Sequence, residues 1–422
     1  MTLNRPFDGV SGQAHDADQV VRNVERPSHS VPNRADKRGL GTGSAVAAGD
    51  LHEDANRRAV VGLGRCRVCH RHHDRRLGWP MTASPILVIG ELCPDIVVAG
   101  VPTDGRTLRF GQSEDLVAGT VMTLGSSAGI TACAVAAAAT PVRLKAVRGD
   151  DEFGAACHRW LTERGVDAGP VRIDPTVRTG SSVILVRADD PGDREILTDL
   201  GAMTALTVAD LDDELLTSAG HVHVSSFFLH TGASDDLHTR LRRARELGCT
   251  VSLDTNDDPD RLWGSGAREA IGEFDVLFVN ESEARGLAGA DASEPLAVVV
   301  MELLALMPRQ GRDPRLPAVV LKLGAAGASV HTRTDSWQVA AQEVTVADTV
   351  GAGDTLAGTC LALLASGAAW SATLQHGVAA GTLSTRSPGG TAGQQPLAVV
   401  AQLAASLPLH HADVPQSEEK PR

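Results

Sequence analysis

The sequence predicts an α/β fold built on a mostly parallel, doubly wound sheet. Three observations carry this. From Ile86 onward, short β-branched runs alternate with longer helical patterns; the runs are nearly continuous in apolar residues; and their order is β-α-β-α. Continuous apolar runs suit a sheet covered on both faces, and strands alternating with helices imply parallel pairing through crossover connections.

The strand candidates, in order, are ILVIG (Ile86 to Gly90), VILVR (Val183 to Arg187), HVHVSS (His221 to Ser226), TVSLD (Thr250 to Asp254), DVLFVN (Asp275 to Asn280) and AVVLKLG (Ala318 to Gly324). The helical stretch from Asp235 to Gly248 shows the pattern of the intervening segments. Leu237, Leu241, Ala244 and Leu247 form one apolar stripe and Gly248 supplies a stop. Residues 95 to 115 and 177 to 200 depart from the alternation. They read as short polar strands with turn signals at Asp104-Gly105 and Pro191-Gly192, as in a small lid.

The first 80 of the 422 residues are different in kind, with a net charge of +4 against −17 in the remainder. They show no sustained apolar period and are broken by Pro6, Pro27 and Pro32, so they read as a disordered or misassigned extension, with Met81 as the natural start. The folded body is expected over 81 to 408, followed by a flexible tail over 409 to 422. Cys66 and Cys69, within CRVCHRHHD, have zinc-ligand or haem-attachment spacing but no folded setting, and the other five cysteines read as buried free thiols in a reducing, cytoplasmic compartment. No apolar run reaches 18 residues, which argues against a membrane partner. A charge of −13, 3% aromatics and no Tyr argue against a nucleic-acid partner.

Three glycine-rich segments carry candidate chemistry. Gly125-Ser126-Ser127-Ala128-Gly129 has the form of a nucleophile elbow, which would make Ser127 the nucleophile of a hydrolase. No oxyanion loop precedes it, and only one convincing strand lies between Met81 and the motif. LKLGAAGA (Leu321 to Ala328) is a strand emptying into two glycines, by itself only a turn signal. ADTVGAGDTLAGTCLALLASG (Ala347 to Gly367) is neither a Walker A loop nor a dinucleotide fingerprint. It is a Gly-Ala-Gly turn followed by Asp354 and a helix of small and apolar residues. The free amides and the dipole of a helix N-terminus favour an anion there. The plainer reading of Asp354 is a helix cap, but Asp348 can serve as the turn residue and leave Asp354 beside the anion site. A carboxylate in that position can take a proton from a hydroxyl attacking a phosphoryl group.

DTVGAGDTLAG (Asp348 to Gly358) closely resembles the signature of the ribokinase-like (PfkB) carbohydrate kinases. GELCPD (Gly90 to Asp95), VRGDDEFG (Val147 to Gly154), RTGSSVILV (Arg178 to Val186), DTN (Asp254 to Asn256), NESE (Asn280 to Glu283) and LKLGAAG follow in family order. The resemblance implies a ribokinase-like three-layer α/β/α fold with a small β lid. It implies ATP and magnesium as cofactors and a small-molecule sugar as acceptor. Asp354 would be the general base, and the amides of Gly351, Ala352 and Gly353 the anion hole. Asn280 would help to organise the phosphates, and Glu283 magnesium through water. Lys322, Gly324 and Gly327 would line ATP, with His376 near adenine. Asp95, Gly125, Ser126 and Ile130 would face the sugar. A monovalent cation such as potassium near Asp348 and the loop from Ser384 to Gly390, and a homodimer through the lid, are further implications.

Two departures bear on the acceptor. Many members have a second glycine and an Asn where this chain has Ser126 and Ile130, which removes an amide contact to substrate and leaves the sugar's identity open. The usual D-x-N-x-R lacks its Arg, with Asp258 in that place, which favours a neutral sugar over an acidic one. The competing functions are a nucleoside kinase and, from another class, a non-catalytic sugar-binding regulator.

Overall fold

The computed structural model of the protein describes residues 84 to 413 apart from 103–113, 190–193, 231–233, 256–257, 259–262, 264–265 and 310–312. The expected extension over 1 to 80, with Cys66 and Cys69, lies outside the described residues. So do Met81, Asn256 and residues 414 to 422.

The first strands are β1 (Ile86–Ile89), β2 (Pro94–Val101), β3 (Gly119–Leu124), β4 (Val142–Lys145), β5 (Val147–Gly149), β6 (Arg172–Asp174), β7 (Ser181–Arg187) and β8 (Arg194–Asp199). They are followed by β9 (His221–Ser225), β10 (Thr250–Asp254), β11 (Val276–Asn280), β12 (Ala318–Lys322), β13 (Ala328–His331), β14 (Asp335–Val339) and β15 (Leu409–Asp413). The helices are α1 (Ser127–Ala137), α2 (Glu152–Glu163), α3 (Asp213–Thr217), α4 (Ser234–Leu247) and α5 (Ala267–Ala270), then α6 (Glu281–Ala288), α7 (Leu296–Leu306), α8 (Ala352–Ala365), α9 (Trp370–Ser384) and α10 (Leu397–Ala404).

The large sheet has the order β15-β14-β13-β12-β11-β10-β9-β1-β4. Every pair from β12 to β4 is parallel, and the three pairs from β12 to β15 are antiparallel. Successive strand residues point to opposite faces, so each apolar run feeds two cores. Ile86, Val88, Phe278 and Val320 pack on one face with Leu356 and Cys360 of α8 and Leu374 of α9. Leu87, Ile89, Leu277 and Val319 pack on the other with Leu237 and Leu241 of α4, Leu287 of α6 and Leu303 of α7. This is the ribokinase-like three-layer α/β/α arrangement. Among the described residues no helix is long and apolar enough to cross a membrane.

A second sheet, β3-β2-β7-β8, forms the lid. VILVR, listed with the core strands and also within the expected lid segment 177 to 200, lies in β7 of this sheet. Of its five side chains only Ile184 is buried and the other four are half-buried. The lid also uses 119 to 124, beyond the expected boundary at 115. The expected tail from Leu409 begins instead as a strand. Leu409 to Asp413 pairs antiparallel with β14, and His411 Nε2 bonds Asp335 Oδ1 at 3.0 Å. Five polar-looking residues were enough because the partner edge supplies the hydrogen bonds.

Two buried polar side chains interrupt the first core. His221 and His223 lie on the face of Ile86 and Val88. The Ser252 hydroxyl joins His221 Nε2 and His223 Nδ1, each at 2.7 Å, and Thr250 Oγ1 meets His221 Nδ1 at 2.7 Å. Burial pushes His221 down to about 3 and His223 well below the usual histidine value. Both therefore fold neutral and take up protons on unfolding below about pH 6.5, the ordinary histidine pKa. Stability from this pair is fully present above that pH and is lost as pH falls toward the folded values. The expected slope is up to about 1.4 kcal/mol per pH unit for each histidine. Urea unfolding between pH 7 and pH 5 should give a shallower pH dependence for His221→Asn than for the wild type; identical slopes would refute the assignment.

Candidate active site

The segment from Ala347 to Asp354 reaches the site through a turn held by its own first carboxylate. Asp348 Oδ1 accepts from the Val350 amide at 2.9 Å, and Oδ2 from the Gly389 amide at 2.8 Å. Gly351 then stands at the N-cap of α8 with φ of 72°. A β-carbon there would lie 2.8 Å from Gly390 Cα and 3.0 Å from Ile130 Cγ2, so both backbone angle and space demand glycine. Ile130 is thus a buried wall of the turn. The first-turn amides of α8 have no intrahelical acceptors. Ala352 N–H makes a long contact of 3.4 Å with the Thr349 carbonyl, which leaves Gly351 and Gly353 as the better anion donors.

Asp354 is the third residue of α8 and the acidic residue of its first turn. Its carboxylate accepts from the Ser127 side chain. Burial raises its pKa, Lys322 opposes this, and Glu91 and Glu283 add to the rise. Ser127 therefore faces a carboxylate and not a histidine, and its backbone amide donates to Glu91 Oε1 at 2.6 Å. The nucleophile-elbow pentapeptide is a helix start.

Lys322 ends β12 and pairs with Asp254 at the end of β10, 3.9 Å from Glu283 Oε2. Burial works against its charge, but Asp254 and Glu283 hold the ammonium well above its ordinary range. Burial raises Asp254 in turn, against the pull of Lys322. A β-carbon at Gly353 would lie 3.2 Å from Lys322 Cδ, so the lysine stem runs along the glycine turn.

Asn280 and Glu283 form a reciprocal cap on α6. Asn280 Oδ1 accepts from Glu283 N–H at 2.9 Å, while Glu283 accepts from Asn280 N–H at 2.8 Å and Nδ2 at 2.7 Å. Glu283 is buried, not a solvated helix-start carboxylate. Among the described residues no three or more His, Cys, Asp or Glu side chains are grouped to hold a metal directly. Asp254 Oδ2 is nevertheless buried without a partner. A buried oxygen beside Glu283 suits magnesium, which keeps most of its waters.

Asp95, at the start of β2, is pushed up to about 7 by burial, then by Asp354, Glu91 and Asp348, with Arg194 opposing. Gly125 makes room for it, since a β-carbon there would lie 2.1 Å from Asp95 Oδ1. Ser126, expected to face the sugar, caps α1: its hydroxyl accepts from Gly129 N–H at 3.0 Å, at the strained φ of 68°. Gly324 and Gly327 form the β12–β13 turn. A β-carbon at Gly327 would lie 2.1 Å from the Val339 carbonyl, whereas Gly324 is open. His376 lies on α9 with Nδ1 at 2.8 Å from the Ala372 carbonyl, and no described contact joins it to the carboxylates. Asp258 accepts from the Trp263 amide at 2.7 Å, a local turn contact that gives it no described place against the acceptor.

Four residues join the site beyond those expected. Glu91 and Asp254 stand inside the recognised strings GELCPD and DTN, and Asp348 opens the signature. Arg194 had no sequence signal. From lid strand β8 its Nη1 reaches Thr349 Oγ1 at 2.9 Å and Asp348 Oδ1 at 3.9 Å, a contact across 155 residues.

Parallel strand ends converge on a helix N-terminus with a carboxylate in its first turn and a lysine beside it, an arrangement chemically suited to phosphoryl transfer. The chain belongs to the pfkB family of carbohydrate kinases, whose family model matches residues 86–396. It is 34% identical over 233 residues to an ATP-dependent ribose-1-phosphate kinase of Halopiger xanaduensis, covering 55% of this chain and 70% of that protein. It is 33% identical over 222 residues to fructokinase-1 of Oryza sativa subsp. japonica, covering 50% and 65%. A 2-dehydro-3-deoxygluconokinase of Thermoproteus tenax is 31% identical over 244 residues, covering 56% and 71%. Among solved structures, a putative ribokinase II from E. coli in complex with ATP and Mg has a TM-score of 0.65 at 21% identity, covering 76% of this chain and 99% of that one.

The geometry of the turn makes a stability prediction. Gly351→Ala should cost roughly 2–5 kcal/mol, from left-handed strain plus overpacking. Gly324→Ala, at φ of 57° but in open space, should cost about 1–2 kcal/mol. Urea unfolding of the two variants tests this; equal losses would contradict it.

Proposed function

We propose that the protein transfers the γ-phosphoryl group of ATP to a hydroxyl of an uncharged sugar. The observation that carries this is the position of Asp354, in the first turn of α8 between Lys322 and Ser127. Asp354 would take the proton of the attacking hydroxyl, and a raised pKa makes it a stronger base than an ordinary carboxylate. The amides of Gly351 and Gly353, with Ala352 weaker, would stabilise charge on the transferring group. Lys322 would shift from Asp254 toward the ATP phosphates. Bound magnesium would neutralise phosphate charge, with Glu283, Asp254 and Asn280 arranged to orient its waters.

The acceptor class follows from charge. Glu91, Asp95, Asp254, Glu283, Asp348 and Asp354 interact within one cluster, against Lys322 and Arg194. So many carboxylates repel an acidic acceptor, while hydroxyl groups can donate to them. A relative's name specifies ribose 1-phosphate and others fructose; the acidic cluster favours the uncharged acceptor. Both Asp348 oxygens are already bonded to amides, so a potassium ion nearby would depend on loop carbonyls. Pairing of two copies through one face of the lid would cover the exposed Met122 and Leu197, which share that face.

Asp354→Asn should lower turnover by roughly 10²- to 10⁴-fold with little change in ATP affinity. Coupled ADP release over a panel of sugars and nucleosides, with calorimetric ATP binding, measures both; full activity in the variant would overturn the mechanism. Arg194 ties the lid to the catalytic turn, and a closed lid keeps water from the activated phosphate. Arg194→Ala should therefore raise ATP hydrolysis without sugar, relative to sugar phosphorylation, by roughly tenfold, about the worth of one charge-assisted hydrogen bond. An unchanged ratio would remove Arg194 from lid closure.

A further inference from the structure

Helices α1 and α8 pack against each other, and Ser127 at the start of α1 bonds Asp354 in the first turn of α8. Their N-termini are treated differently. At α8 the glycine turn leaves amides for a ligand. At α1 the first amide, Ser127 N–H, is taken by Glu91 Oε1 at 2.6 Å, and the Ser226 hydroxyl donates to the same oxygen at 3.1 Å.

The other Glu91 oxygen is unspent. Glu91 is 3% exposed, and Oε2 has no hydrogen-bond partner. His230, 1% exposed, places Nε2 at 3.9 Å from it and 2.9 Å from the Ser225 carbonyl. A carbonyl only accepts, so Nε2 carries a proton. His230 Nδ1 and Ser225 Oγ are also buried without partners. Buried orphan atoms of this kind are rare and costly. These lie just beyond the carboxyl ends of β1 and β9, where open α/β sheets bind ligands. The Glu91 charge is felt by both Asp95 and Asp354, which places it with the acceptor side of the cluster.

We propose that Glu91 determines acceptor specificity: it fills the α1 N-terminus with the chain's own negative charge, excluding an acceptor phosphate or carboxylate, and turns Oε2 to a hydroxyl of an uncharged polyol. The proposal rests on the sugar-kinase reading and adds to it a residue that selects the substrate. A helix N-terminus attracts anions, so two open ones side by side would hold a sugar phosphate as readily as ATP. Occupying one with a carboxylate leaves only α8 for phosphate.

The test uses the full chain with magnesium and ATP, comparing wild type, Glu91→Gln and Glu91→Asp on uncharged sugars and polyols, sugar phosphates and sugar acids. Polyol binding is followed separately by thermal shift without ATP. On the best uncharged acceptor, Glu91→Gln should raise KM by about tenfold or more, the loss of a hydrogen bond to a charged group, while kcat stays within about threefold. The ratio of kcat/KM for anionic over uncharged acceptors should rise by about tenfold or more. Glu91→Asp, which keeps the charge but withdraws the oxygen, should raise KM without relaxing the exclusion of anions. A merely structural role would lower the melting temperature and leave the acceptor ratio alone.

Turnover with an unaltered KM and ratio in Glu91→Gln overturns the role of Glu91 and leaves the kinase reading standing. If that variant does not fold, an unaltered KM in Glu91→Asp overturns it instead. No ADP release by the wild type with any acceptor overturns the kinase reading, whereas a polyol-induced shift lost in Glu91→Gln still supports Glu91. Absence of both turnover and binding overturns both.

Discussion

A single buried ammonium allows three carboxylates from three elements to share the carboxyl edge of the sheet. Lys322 comes from β12, Asp254 from β10, Glu283 from α6 and Asp354 from α8. Without the lysine these acids would repel one another in a region that burial has already made unfavourable to charge. The strands that end there are therefore under a common electrostatic constraint: each apolar run must deliver its last polar residue to the same place. The two hydrophobic cores hold the strands in register, and the register sets the spacing of the charges.

Much of this was legible in the sequence where a residue acts through its own neighbours. Gly351 to Asp354 form a turn and a helix start within one short string, and the chemistry of a helix N-terminus follows from local geometry. The reciprocal cap of Asn280 and Glu283 is likewise a four-residue event. Three features were less readable. Ser126 was read for a substrate contact, whereas its hydroxyl also caps α1, a local role that residue type alone does not decide. Arg194 reaches the catalytic turn across 155 residues, and only the packing of the lid brings it there. VILVR was readable both as a doubly covered strand and, within 177 to 200, as part of the lid, because an apolar run shows which side chains avoid water but not what covers them.

The lid and the catalytic turn communicate through few atoms. Thr349 sits between Asp348, which anchors the turn to the loop at Gly389, and Gly351, which opens α8. Arg194 of β8, bonded to Thr349, is thus one residue from Asp348 and two from Gly351.

The strand at Leu409 to Asp413 gives the far end of the large sheet a different significance. It covers the outer edge of β14, whose outward N–H and C=O groups would otherwise stand unpaired at the edge of an eight-stranded sheet. Open edges recruit other chains. A chain shortened at residue 408 would keep every residue of the site and make β14 the edge strand in place of β15.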